Sequence, residues 1–178
     1  MDSRYYSRNS DRGCAMTLGI PLYEFTLLHV VISLVAIVSG LLVLPRMLRS
    51  ERPGWLTHLF LVTTVLTSVT GFMFPVPGFT PAKAFGALSL LLLAASLAGL
   101  YVFRLAGAWR WIYASTAVAA LYLNCFVLIV QSFQKVPGIA ELAPTQTEPP
   151  FQIAQGLLLV LAVYFGYRAV KSFHPAPV

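Results

Sequence analysis

Residues 22–44 read LYEFTLLHVVISLVAIVSGLLVL, a run of 23 residues with one acidic side chain near its start and no basic one. A helix needs about 20 mainly apolar residues to cross about 30 Å of hydrocarbon, so this stretch is long enough to span a bilayer. It stops at Pro45, which is followed by Arg46, Arg49 and Arg52. Such a boundary is typical of a membrane-spanning helix whose end meets polar head groups.

Four further stretches have the same character, and each is bounded by charge, proline or glycine. Every backbone group in hydrocarbon must be hydrogen-bonded internally, so these stretches are expected to be helices. The sequence therefore predicts an all-α integral membrane helical bundle of five transmembrane helices, at about 22–44, 55–74, 82–103, 111–133 and 151–169.

The bundle is expected to occupy residues 22–170, between a polar N-terminal tail at 1–21 and a C-terminal tail at 171–178. The fifth stretch is the shortest uninterrupted apolar run. An alternative is therefore a bundle of four spanning helices, in which the fifth stretch is an interfacial or re-entrant piece.

The composition agrees with the membrane class, because 58% of the residues are hydrophobic and 10% are charged. The mean hydropathy is +0.77. A water-soluble domain of this size could not bury so much apolar surface. The net charge of +6 comes from basic residues that stand singly or in small groups between apolar runs. That pattern is a topology signal, and no nucleic-acid partner is expected.

Lysine and arginine in the short connections predict the orientation of the bundle. One side carries seven of them, and the other side carries five when the N-terminal tail is included. The first side is expected to be cytoplasmic, which places the N-terminus outside and the C-terminus inside. A translation start at Met16 would remove the three arginines of the tail. The two sets are Arg46, Arg49, Arg52, Arg104, Arg110, Arg168 and Lys171, and Lys83, Lys135, Arg4, Arg8 and Arg12.

The two cysteines, Cys14 and Cys125, lie in the polar tail and in the fourth apolar stretch. Two cysteines so differently placed do not form a disulfide framework, and both are expected to be unpaired thiols. Arg12 stands just before Cys14 where a signal sequence would be apolar, so no cleaved signal peptide is predicted.

Small and polar residues recur at helical spacing within the apolar stretches. Helices in a bilayer associate through small residues and side-chain hydrogen bonds, so such stripes predict the faces that meet in the bundle. Serine and threonine are expected to bond mainly to carbonyl groups of their own helix. On the first helix the stripe contains Thr26, His29, Ser33, Ala36 and Gly40.

Histidine and amide side chains are costly to bury in hydrocarbon, and they cluster toward one end of the predicted bundle. The expected product is a polar cavity that faces outward. Its candidate ligand-binding residues are His29, Asn124, Gln131, Gln152 and Gln155, with Glu24 nearby. A neutral histidine that only bonds a neighbour and amides that serve helix packing are the alternative interpretation.

Several chemistries have no suitable residues. Both aspartates, Asp2 and Asp11, lie in the N-terminal tail, so no Ser/His/Asp nucleophile is predicted and no catalytic residue is assigned. No metal-ligand spacing such as CxxC or HExxH occurs. Haem is not favoured, because His29 and His58 belong to opposite ends of the bundle. The cofactor, if there is one, stays unknown.

Three stretches carry a resemblance to a known family. They are TTVLTSVTGFMFP (63–75), GAWRWIYASTAVAALYLNCFVLIVQSFQKVP (107–137) and LAPTQTEPPF (142–151). The chain resembles, over about Tyr23 to Gly166, a family of small bacterial inner-membrane proteins with no assigned activity. The resemblance implies a multi-pass protein of the bacterial cytoplasmic membrane and implies nothing about mechanism. The tail before Met16 departs from the family pattern.

Three functions are therefore open. The first is a non-enzymatic protein that binds a small ligand, or the head group of a lipid or quinone, in the outward-facing polar cavity. The second is an accessory or assembly subunit of a larger membrane complex, or a homo-oligomer, with the lipid bilayer around it. The third, less favoured, is a haem-containing redox protein.

Overall fold

The computed structural model describes residues 16–17, 19–78 and 80–175. Its architecture is an all-α bundle with one very small β-ladder, and each of its five long helices is long and apolar enough to cross a membrane. The predicted fold class and helix number are thus confirmed. The helices are α1 (Leu22–Leu48), α2 (Trp55–Phe72), α3 (Pro81–Leu97), α4 (Trp109–Lys135) and α5 (Pro149–Ser172).

Shorter elements complete the fold. A π-helical turn, Ala98–Val102, extends α3, and a single helical turn, Pro137–Ala140, lies in the loop between α4 and α5. Strands β1 (Met16–Thr17) and β2 (Ile20–Pro21) form an antiparallel pair just before α1. This pair lies in the predicted polar tail. The predictions for Cys14 and for the other residues before Met16 lie outside the described residues.

The observed helix ends differ from the predicted ones by a few residues. Pro45 was expected to end the first helix, but α1 continues through it to Leu48. Proline there removes one N–H donor, and its carbonyl still accepts from Arg49 N at 3.1 Å. α2 ends two residues early, at Phe72, and α5 is a continuous helix of 24 residues. That length does not support a re-entrant fifth piece.

The first four helices form a ring in which neighbours in sequence are neighbours in space. α1 packs on α2, α2 on α3 and α3 on α4, and contacts between α4 and α1 close the ring. α5 lies outside this ring against α4 and α1. Ala169 is its one buried residue, and side chains such as Ile153 and Val160 are exposed. These apolar surfaces are the ones that lipid would cover.

The two ends of the bundle are named here by their residues. The basic end is the one at which α1 ends and α4 begins, and the loop end is the one at which α1 begins and the loop 136–148 lies. The core is concentrated in the basic half, where Tyr113 and Phe173 are buried with their ring centroids 5.5 Å apart. A Cβ atom on Gly40 would lie 2.7 Å from Leu121 Cδ1 and 2.8 Å from Phe60 Cε2. Only glycine permits this close approach of α1 to its neighbours.

Burial along the stripes of α1 and α4 decreases toward His29 and Gln131, although Phe25 is buried on the first turn of α1. On α4, Tyr113, Ala117 and Ala120 are at most 2% exposed, whereas Asn124 and Gln131 on the same stripe are partly exposed. On α1, Ala36 and Gly40 are buried and His29 is partly exposed. The main buried cluster therefore lies in the basic half, while Phe25 and Ala143 are buried at the loop end.

Candidate functional site

His29 lies on the inward face of α1 and is held against α2. Its Nδ1 atom is 2.7 Å from Thr70 Oγ1. Its ring meets Phe74 edge-on with centroids 5.2 Å apart, and Phe74 meets Phe25 at 5.1 Å. The imidazole carbon Cε1 lies over Gly71, 3.7 Å from the position that a Cβ atom would take. The histidine is thus fixed by one hydrogen bond and an aromatic contact.

A hydrogen bond between α2 and α4 sets the register of the two helices. Asn124 Nδ2 donates to Thr64 Oγ1 at 3.2 Å. Both helices run from the basic end to the loop end. Gly71 and Gln131 each lie seven residues further along, which is about two turns or about 10 Å, and on the same face as the bonded pair. Gln131 is therefore placed at the level of Gly71 and of the histidine over it.

Gln131 Oε1, Thr67 Oγ1 and Gln155 Oε1 are buried without a partner among the described residues. A buried polar atom without a hydrogen bond costs free energy, and in native proteins it usually bonds to water or to a ligand. We name His29, Thr67, Thr70 and Gln131 the loop-end cluster. It brings polar groups of three helices near one level in the loop half of the bundle.

The other predicted residues lie elsewhere. Asn124 serves the contact between α2 and α4, about two turns deeper than the cluster. Gln155 joins α5 to α4, because its Nε2 donates to Phe126 O at 3.2 Å. Gln152 is exposed and donates to Thr147 O at 2.7 Å, and Glu24 is exposed on the first turn of α1. The register of α2 and α4 sets Gln131 near the level of His29, while Asn124, Gln152 and Glu24 lie elsewhere. Gln155 keeps a buried oxygen without a partner among the described residues.

Back-bonding accounts for many of the hydroxyl groups. Thr26, Ser33 and Thr64 each donate to the carbonyl four residues earlier in the same helix. This confirms the expectation that most serine and threonine residues in the stripes contribute to packing. Thr67 Oγ1 and Ser89 Oγ are exceptions, since both are buried and unpartnered among the described residues.

The proline-rich loop between α4 and α5 forms a groove. Its volume is about 570 Å³, and none of the six predicted residues lines it. The groove is open and its one acidic lining residue is Glu141, so the arrangement offers few convergent polar groups. The lining residues are Phe133, Gln134, Ala140, Glu141, Pro144, Thr145 and Gln146.

Hydrogen bonds order the end of this loop. The Glu148 carboxylate accepts from Thr145 N at 3.1 Å, from Thr145 Oγ1 at 2.9 Å and from Thr147 N at 3.0 Å. Slight desolvation raises the pKa of Glu148, but these hydrogen bonds outweigh it and hold the pKa below its ordinary value. Gln146, with φ of 60°, donates to Val130 O at 3.3 Å. The loop is thus tied to itself and to α4.

Potential ligands for a metal or haem are scattered. Among the described residues, no three His, Cys, Asp or Glu side chains come together. His58 lies near the basic end, where its ring meets that of Tyr101 at 5.6 Å. Cys125 is a free cysteine on α4. The side chains of the loop-end cluster are hydrogen-bonding groups, so the cluster is suited to binding a polar group.

The chain was compared with protein-family models, with curated proteins and with solved structures. None of the three comparisons found a match. The functional argument therefore rests on the geometry of this molecule.

Proposed function

We propose that this protein binds the polar head group of a small amphiphile, such as a lipid or a quinone-type molecule, at the loop-end cluster. The observation that carries the proposal is the buried Gln131 Oε1, which has no partner among the described residues and which the register of α2 and α4 sets near the level of His29. In hydrocarbon such an oxygen has no water to bond, so a polar partner would stabilise it.

Packing supports the same proposal. On α1 and α4, His29 and Gln131 are partly exposed, whereas Ala36, Gly40 and Ala120 on the same stripes are buried. Phe74 and Phe25 provide an apolar wall beside His29. A few polar groups within a mainly apolar site are the usual composition of a small-molecule site.

A steric variant tests the proposal. Gly71→Leu adds a side chain beside the His29 ring, so the site is filled without removal of any polar group. The wild-type protein in detergent is expected to be stabilised by about 2.7 kcal/mol at a ligand concentration about 100 times the dissociation constant. Thermal unfolding with a panel of short-chain lipids and quinones measures this, and Gly71→Leu should abolish the shift.

Gly156→Leu is the matched control, because a Cβ atom on Gly156 of α5 would meet nothing within 4 Å. It should keep the ligand-dependent shift in full. A panel in which no compound stabilises the wild-type protein, or one in which Gly71→Leu responds as the wild type does, would contradict the proposed site.

We also propose that the protein lies in a bacterial cytoplasmic membrane, with the basic end in the cytoplasm and the loop end outside. The support is the excess of lysine and arginine at the basic end. Cysteines introduced as Arg49→Cys and Pro144→Cys in a cysteine-free background report on the two ends. An impermeant maleimide should label only Pro144→Cys in intact cells, and the reverse pattern would invert the orientation.

An accessory subunit of a larger complex is the second candidate function, and α5 is the feature that favours it. Only 6% of the apolar window of α5 is buried, compared with 44% for α4. A neighbouring protein helix could cover this surface as well as lipid could. Purification in a mild detergent decides the point, since a monomer without a stoichiometric partner would speak against an accessory role.

A further inference from the structure

The last two turns of α5 carry aromatic and basic side chains on one face. Tyr164, Tyr167, Arg168 and Lys171 occupy positions i, i+3, i+4 and i+7 of the helix, and all four are exposed. Phe173 follows them and is buried in the core of the basic half. The four residues, here named the tyrosine–cation stripe, therefore lie at the basic end of the bundle.

Each cation of the stripe is held against a tyrosine one turn earlier. Arg168 Nη1 donates to Tyr164 Oη at 3.2 Å, and the guanidinium carbon lies 6.0 Å from the centre of the Tyr164 ring. Lys171 Nζ lies 4.9 Å from the centre of the Tyr167 ring. A cation at such a distance from an aromatic face is attracted to it. Two long side chains are thus held on the exposed face of the helix.

No acidic side chain neutralises these two cations among the described residues. α5 contains neither aspartate nor glutamate, and neither Arg168 nor Lys171 takes part in an ion pair with a described residue. Glu51, an acidic residue at the same end, lies 2.7 Å from Arg46 and 4.0 Å from Arg49. The stripe therefore offers two positive charges to an anion from outside the bundle.

The stripe also offers hydrogen-bond donors. Arg168 donates one of its N–H groups to Tyr164 and keeps the others. Because Tyr164 Oη accepts that bond, its own proton remains for another acceptor. The Tyr167 hydroxyl has no hydrogen bond to a described residue. Guanidinium, ammonium and phenol donors on one face suit the oxygen atoms of a phosphate group.

An apolar surface continues the same face toward the middle of the helix. Ile153, Leu157 and Val160 precede Tyr164 at spacings of four, three and four residues. Their exposed fractions are 68%, 58% and 64%. Polar donors at the level of the head groups are thus followed by an apolar surface at the level of the acyl chains, which is the layout of a phospholipid.

We infer that the tyrosine–cation stripe binds the phosphate of an anionic phospholipid in the leaflet around the basic end, with the acyl chains along the apolar surface. Each basic side chain near the membrane surface strengthens binding of an anionic lipid about fivefold. A zwitterionic lipid carries its own cation, which the two cations of the stripe repel. This site lies at the opposite end of the bundle from the loop-end cluster, and it goes beyond the proposed function.

Native mass spectrometry of the full chain in detergent tests the inference. The protein is freed of co-purified lipid and given equal amounts of phosphatidylglycerol and phosphatidylcholine with the same acyl chains. The wild-type protein should bind phosphatidylglycerol at least about tenfold more in the first binding event. Arg168→Gln should lower this preference about fivefold. Tyr164→Phe keeps the ring and every charge but removes one donor, so it should lower the preference at least about twofold.

Two controls separate the stripe from the general positive charge of this end. Arg104→Gln removes the same charge at an exposed position after α3, and among the described residues neither α3 nor its π-helical turn contacts α5. It should keep the wild-type preference. Gly71→Leu, which fills the loop-end cluster, should keep it as well. The two proposals can therefore fail separately.

Four results would overturn the inference. They are equal binding of the two lipids by the wild-type protein, an unchanged preference in Arg168→Gln or in Tyr164→Phe, and an equal loss of preference in Arg104→Gln. Glycerophosphoglycerol, the same head group without acyl chains, should leave the preference unchanged when it is added in excess. Displacement of phosphatidylglycerol by it would exclude a site for the whole lipid.

Discussion

Asn124 shows how a polar side chain in this bundle serves packing. Its bond to Thr64 crosses from α4 to α2, and the Thr64 hydroxyl also donates to Phe60 O at 2.7 Å. Removal of Asn124 therefore leaves the threonine hydrogen-bonded within its own helix. The loss should be that of one bond between helices, which in membrane proteins is on average about 0.6 kcal/mol and at most about 1.7 kcal/mol.

We expect Asn124→Leu to lower the free energy of unfolding by about 0.5–1.5 kcal/mol. A double-mutant cycle with Thr64→Val, measured by reversible unfolding in mixed micelles, isolates the bond itself. The coupling energy should be favourable and of that same size. Additive effects of the two substitutions would show that the bond contributes nothing.

Glu148 makes the order of the loop between α4 and α5 depend on pH. The hydrogen bonds from Thr145 and Thr147 hold its pKa below the ordinary value of 4.5. A group with a depressed folded pKa stabilises the fold above the unfolded pKa, and this contribution is lost as the pH falls through the folded pKa. Proteolysis of the loop should therefore be slow at pH 7 and faster in acid below pH 4.5.

Glu148→Gln should show the faster cleavage at pH 7 and little further change in acid, because an amide cannot be protonated there. Glu141→Gln, at another exposed acid of the same loop, is the control and should keep the wild-type pH profile. Equal acid sensitivity of wild type and Glu148→Gln would mean that another group orders the loop.

At the scale of the helix, Gly40 sets how closely α1 approaches its neighbours. A methyl group there would lie within 3 Å of Leu121 and Phe60. We expect Gly40→Ala to lower the free energy of unfolding by about 1–3 kcal/mol, as overpacking of a core does. Gly156→Ala, with open space around it, should change stability by no more than about 0.5 kcal/mol.

Adding Leu121→Ala should partly restore the free energy of unfolding that Gly40→Ala loses, because the shorter side chain makes room for the added methyl group. Reversible unfolding of the single and double variants measures the effect. If Gly40→Ala were as stable as the wild type, the close contact between α1 and α4 would not hold.

The helices themselves could be predicted from sequence because length and apolarity decide them. The continuation of α1 past Pro45 could not be predicted. A proline in the last turn removes only one N–H donor, at a place where few hydrogen bonds remain to be made, and the helix continues. The placement of Gln131 near the level of His29 depends on the register that Asn124 and Thr64 set between α2 and α4. Spacing within one helix carries no information on that register, so the separate places of Gln152 and Gln155 were not foreseen.

At the scale of the whole molecule, the uneven packing predicts uneven protection of backbone amides. The buried cluster occupies the basic half, and partly exposed inward faces occupy the loop half. Hydrogen–deuterium exchange should be slowest in peptides from 37–47 and 113–121. It should be faster in 22–33 and 124–135, where water or a head group can enter.

Saturation with a ligand of the loop-end cluster should slow exchange in 22–33 and 124–135 and leave 113–121 unchanged. Equal protection along α4 without ligand would contradict the uneven packing. Exchange measured in lipid nanodiscs keeps the apolar surface of α5 covered during the experiment.

If α1 tilts about its close contact at Gly40, its two ends move by different amounts, because Gly40 does not lie at the middle of the helix. About 27 Å of helix lies between Gly40 and Leu22 at the ordinary rise per residue, so a tilt of about 5° would swing the far tip by roughly 2 Å. The end of the helix beyond Gly40 would move by less than half as much. A tilt of α1 caused by a bound molecule would therefore move the loop end of the helix, while the arginine-rich basic end stays nearly still.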